Sequence, residues 1–270
     1  MRYLPIIVLL LSVSLTCGCS IIRSAKLLTP EQFGLTPIEQ NVYIETGADE
    51  KAKGELRDAM VMAENAIRAA YGSVNSHPIV HACISESCYE SLGGKTSRAK
   101  VYGDHILLSP RGFNWHFLAH EWSHAEIRSR LSFSARWHLP QWFDEGLAVS
   151  VSEAPEHSEA HWQFLVASGT PRPSREKLLT YKSLRQWLNA VERYGEKQNI
   201  ERKAKGEPEV RPVYSAAGHE VRPWLSKAGS HGLIDLISRL NNGEDFEAVY
   251  NAANNAFNTV LRVAARPSAG

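Results

Sequence analysis

The residue pattern predicts an α+β protein in which a sheet-bearing part precedes a mainly helical part. Short runs of strand-like composition, Asn41–Thr46, Pro78–Ile84 and Ala99–Leu108, all fall before residue 110. Beyond Pro155 the apolar residues recur at helical spacing instead. The 270 residues are 43% hydrophobic and show no internal repeat, enough for one sizeable core or two small ones.

Met1-Arg2 opens the chain with a basic residue, and Leu4–Leu15 is an apolar run too short to span a bilayer. It reads as the core of an export signal, residues 1–18. Residues 19–36 then read as a tether, 37–260 as the folded domain, divided near residue 130 into its two parts, and 261–270 as a tail. Within the domain, Leu56, Met60, Ala63, Ile67 and Ala70 mark a helix that ends at Gly72. Gly93-Gly94 marks a turn before Ala99–Leu108, read as one strand. Ser109 and Pro110 read as the start of the next helix. A loop over Ser132–Pro140 leads into Gln141–Ala148; helices follow over His157–Ala167 and Tyr181–Tyr194, and a polar stretch from Gly195 to Pro212 reads as a solvated linker. Tyr214–Leu225, ended or kinked by Pro223, Leu233–Leu240 and Phe246–Phe257 complete the set.

A formal charge of +1 gives no electrostatic case for nucleic acid or an anionic membrane as a partner, where a basic surplus would be expected. Export implies an oxidising compartment. Cys83 and Cys88 are then expected to pair, ahead of two free thiols or a second metal site, because no further cysteine pair exists to complete a thiolate zinc site.

His120-Glu121-Trp122-Ser123-His124 carries the chemistry. On a helix the two histidines stand one above the other, so both can ligate one zinc ion while Glu121 points at a bound water. A catalytic zinc takes a third protein ligand. His138, Asp144 and Glu145 are the available donors; the metzincin continuation is excluded by Ile127 and Arg130 at its glycine and histidine positions.

Two resemblances sharpen this. Thr16-Cys17-Gly18-Cys19-Ser20 resembles a bacterial lipoprotein signal, which implies lipidation of Cys19 and, with Ser20 after it, an outer-membrane address facing the periplasm. Pro140–Ala148, with Trp142, Glu145, Gly146 and Ala148, resembles the W-x-x-E-G-x-A segment of gluzincin metallopeptidases with a peptidase-MA-like domain. That resemblance implies a zincin-like fold and one Zn2+ held by His120, His124 and Glu145. It implies Glu121 as general base in hydrolysis of a peptide or protein substrate laid along the strand at Ala99–Leu108. It also implies that Gly146 and Ala148 bring the second helix close to the first. Where thermolysin-like members place an aspartate four residues after the ligand glutamate, this chain has Val149; Asp144, Ser150 and Glu153 are the replacements available to orient a histidine. The segment from Tyr214 resembles the helix that follows the site in the same group, with Tyr214 and His219 as candidate oxyanion donors. A membrane contact is expected only through the lipid anchor; the alternative is an ordinary cleaved signal, which leaves the chain periplasmic or secreted. The competing readings are a catalytically silent binding lipoprotein on the same fold, and an amidase acting on cell-wall peptides.

Overall fold

The computed structural model describes residues 26–252. Cys19, the signal segment and the tail lie outside the described residues, as does the end of the helix expected over Phe246–Phe257. The fold is α+β, with one mixed five-stranded sheet and a helical majority. The chain forms two compact units. One comprises residues up to Ala59 with His77–Leu118, and the other comprises Met60–Ser76 with the residues from Ala119 on.

The first unit holds the sheet. Its strands are β1 (Leu35–Glu39), β2 (Val42–Glu45), β3 (Ile79–Ala82), β4 (Ala99–Tyr102) and β5 (His105–Leu108), in the order β1-β2-β3-β5-β4. The β2–β3 and β3–β5 pairs are parallel; the outer pairs are antiparallel. β1 starts inside the segment read as a tether, and its Pro37 sits on an edge strand, where a missing N–H is tolerated. The stretch Ala99–Leu108 is a hairpin, not one strand. Gly103 takes φ +63° in the two-residue turn Gly103-Asp104, which a glycine at the first turn position accommodates.

Helix α1 (Glu50–Tyr71) buries Leu56, Ala59, Ala63, Ile67 and Tyr71, a stripe at steps of three and four. Between Cys83 and the Gly93-Gly94 turn lies a short helix, α2 (Glu86–Ser91), capped by Ser85. Cys83 and Cys88 are joined by a disulfide that packs in a core of Leu35, Tyr89, Leu92 and Leu107. The Glu45 carboxylate accepts from the N–H groups of Ile84 and Ser85 and from the Ser85 hydroxyl, which holds the same loop.

His81 and His105 form a buried pair across β3 and β5. Their Nε2 and Nδ1 lie 2.9 Å apart, and Tyr43 stacks on His81. A hydrogen bond between two imidazoles needs one nitrogen unprotonated. Burial, and then the neighbouring His105, push His81 down to about 3 from 6.5. His105 is lowered as well, mainly by burial. The folded state therefore binds fewer protons than the unfolded chain between these values, and stability rises with pH there. The pair's contribution, on the order of a few kcal/mol, is complete above pH 6.5 and is lost as the pH falls toward 3. Urea unfolding at neutral and acid pH is expected to show this slope, and His81→Gln, which keeps a donor but does not titrate, is expected to flatten it.

The second unit carries α3 (Trp115–Arg130), α4 (Phe133–Arg136), α5 (Gln141–Ser152), α6 (Glu159–Ala167), α7 (Arg175–Leu178), α8 (Leu184–Val191), α9 (Lys197–Ala204) and α10 (Pro212–Asn241); the first residues of α3 belong to the sheet unit. Ser109 and Pro110 start a separate 3-10 turn, and α3 is capped instead by Asn114, whose side chain accepts from the N–H groups of His116 and Phe117. The stretch read as a linker is helical over α9. Asn199 closes the turn after it by exchanging two hydrogen bonds with the Val210 backbone, and Val210 is buried. α10 continues past Pro223. Its backbone departs from helical values at Gly229, with φ 61° and ψ −172°, a conformation open to glycine.

Candidate metal centre

α3 is pinned on the side away from its histidines. The Tyr71 hydroxyl is 3.0 Å from Ser123 Oγ, and Trp122 Nε1 donates to Ser76 Oγ. The Glu126 carboxylate, fully buried, accepts from the N–H groups of Asn75 and Ser76, from Ser76 Oγ and from Arg130 Nε. A buried charge with four donors is compensated, so this network sets the rotation of the helix. His120 and His124 then lie on one face, with ring centroids 5.0 Å apart.

α5 brings Glu145 to that face. Its Oε2 is 3.4 Å from His120 Nε2 and 3.7 Å from His124 Nε2. Gln141, one turn earlier, donates to Oε1 at 3.0 Å and so turns the other oxygen toward the histidines. That oxygen is buried and makes no hydrogen bond. The three donor atoms lie within 4.8 Å of one another, and His120, His124 and Glu145 are all buried. Ligand atoms about 2.0–2.1 Å from a tetrahedral ion are separated by about 3.3–3.4 Å, close to the observed spacing. The group could therefore bind a metal ion, and two imidazoles with one carboxylate are a donor set that suits zinc.

Of the three residues available to orient a histidine, Asp144 does so. Its Oδ1 is 2.9 Å from His124 Nδ1, leaving Nε2 directed at Glu145. Ser150 donates instead to the Gly146 carbonyl, and Glu153 is an exposed residue in the left-handed conformation at the end of α5. His138 is exposed and outside the cluster.

The field of these carboxylates favours positive charge. Burial alone would lower the His124 imidazole; Asp144 and Glu145 outweigh it and hold it well above its ordinary value. Burial would raise Glu145, but the two imidazoles hold it well below the carboxylate range. Glu121 is raised by burial, against the opposing charges of His120 and His124. Asp144→Asn removes the acceptor charge behind His124 and is expected to weaken metal binding about 10–100-fold with little change in fold, measured by chelator competition.

Tyr214 reaches the same region, its ring 6.2 Å from that of His120. It stacks on His157 at 5.3 Å and meets Trp187 edge-on at 5.1 Å. Burial first, and then the charge of Glu145, push its hydroxyl upward, so it keeps its proton. His219 lies about 140° further round α10. There it pairs with Glu159 at 2.9 Å and stacks on Trp162. No pattern in the sequence pointed to His157 or Trp187 as supports for Tyr214; both arrive through packing. Val149, where an aspartate was sought, is fully buried. No family model matches the chain, and no curated protein matches it.

Proposed function

We propose that this chain is an exported zinc metallopeptidase of gluzincin type, anchored by a lipid on Cys19. The observation that carries the catalytic reading is Glu145 Oε2, buried without a hydrogen bond and facing two imidazole nitrogens. A buried carboxylate oxygen without a donor is costly unless a cation occupies the space beside it. Zinc bound there supplies Lewis acidity toward a water and the scissile carbonyl. His120, His124 and Glu145 would hold the ion, and Asp144 fixes the tautomer of His124. Glu121 takes the proton of the attacking water and passes it to the leaving amine. Tyr214, protonated and beside His120, donates to the oxyanion, a role for which its position is better supported than that of His219. Purified protein is expected to carry one zinc ion per chain by mass spectrometry, and to cleave unblocked and blocked peptides alike. Chelation should abolish both, and added zinc should restore them. A chain that holds no zinc, or loses it without losing hydrolysis, rules the proposal out.

A further inference from the structure

Phe133 and Trp137 are the most exposed large apolar side chains among the described residues, at 76% and 77%. They are four apart, on one face of α4 and its C-cap, and their rings meet edge-on at 6.2 Å. Leu131 and Ala135 take the opposite face and are buried. The apolar pair is therefore presented outward by an element that has already spent its inner face on the core.

The element is held firmly. Ser132 caps α4 through the Ala135 N–H. Asn241 accepts from the Ser132 N–H and donates to the Arg130 carbonyl, and Arg136 Nε donates to the Leu131 carbonyl. These bonds fix the backbone that presents the two rings outward.

Along this stretch of the chain the charge has one sign. From Ile127 to Phe143 the chain has Arg128, Arg130, Arg136 and His138 and no aspartate or glutamate. Arg130 is neutralised by Glu126. Arg136 is exposed, and no carboxylate pairs with it among the described residues. Tryptophan and phenylalanine beside arginine form the combination that sits at a bilayer interface: the rings enter the headgroup boundary while the cation meets lipid phosphate. A protein partner of the usual kind would need a larger apolar area than two rings supply.

We propose that Phe133, Trp137 and Arg136 form a docking point for an anionic lipid surface. It is independent of the metal site and of the N-terminal anchor. The test uses the full chain with vesicles of phosphatidylcholine and phosphatidylglycerol whose acyl chains carry bromine, which quenches tryptophan on contact. Residues 1–25 contain no tryptophan, so insertion of that end is silent. Wild-type fluorescence is expected to be quenched, Trp137→Phe to lose most of that quenching, and Arg136→Gln to weaken vesicle binding about fivefold. Unchanged quenching in Trp137→Phe overturns the proposal, as does equal binding to pure phosphatidylcholine or no quenching at all. A dimer that dissociates in the Trp137 variant also overturns it, by assigning the surface to a second copy. Circular dichroism of both variants should match wild type, because both side chains are exposed.

Discussion

Replacing Glu121 with glutamine is expected to leave zinc content and thermal stability near those of the wild type and to lower peptide hydrolysis by roughly 10²–10⁴-fold. Glutamine keeps the shape of glutamate but cannot take a proton from water. It sits between His120 and His124 without belonging to the three residues whose donor atoms converge. The loss should therefore appear in kcat with the metal in place. His124→Ala, in contrast, should lose metal and activity together. The two variants separate chemistry from binding: a Glu121→Gln protein that hydrolyses peptides at the wild-type rate removes Glu121 from the reaction, and one that has lost its zinc makes it a structural residue.

Gly146→Ala is expected to destabilise the helical unit by about 1–3 kcal/mol and to weaken metal binding at the same time. Gly146 sits where α5 meets α10. A Cβ there would come 2.7 Å from the Ala217 carbonyl oxygen and 2.6 Å from Val221 Cγ2. A backbone carbonyl cannot turn aside, so the helices must part. Glu145 is the neighbouring residue and moves with them, and a shift of a few tenths of an ångström is large against its 3.4 Å and 3.7 Å spacings to the histidines. Thermal unfolding and chelator competition should change together. Gly54→Ala in α1 is the control: nothing lies within 4 Å of its Cβ position, and the exchange inside a helix should stabilise by about 0.5–1 kcal/mol. Metal affinity unchanged in Gly146→Ala would show that Glu145 is not positioned by this helix contact.

The reason for Gly146 differs from the one its sequence pattern suggests. Gly146 and Ala148 were expected to let α5 approach the histidine helix. In the structure the glycine admits α10, through Ala217 and Val221, and Gly218 meets Val149 in the same seam. A small residue in a sequence announces a close approach without naming what approaches. The same limit applied to the strands. Gly103-Asp104 is a turn signal, but a ten-residue run of strand-like composition can be a long strand or a hairpin until its neighbours are known. In the stretch 195–212 charge and proline argue for a solvated linker, whereas part of it is helical and two hydrogen bonds between Asn199 and the Val210 backbone hold it folded.

Features that depend on local geometry could be read from the residues alone. Four residues are a little over one helical turn, so His120 and His124 had to share a face once that segment was helical. The buried stripe of α1 follows from the same period. The α+β order could be read for a similar reason, because alternation and helical spacing are properties of short windows. Choices between neighbours could not be read this way. Asp144 and Glu145 are adjacent, about 100° apart on α5, and either carboxylate could have faced the histidines. The rotation of α5 against α10 sends Glu145 to both Nε2 atoms and leaves Asp144 to hold His124 Nδ1. His81 and His105, 24 residues apart, met only because β3 and β5 run parallel in one sheet. A period is carried by the chain itself, whereas the direction a side chain finally takes depends on what packs against the other side of its helix or strand.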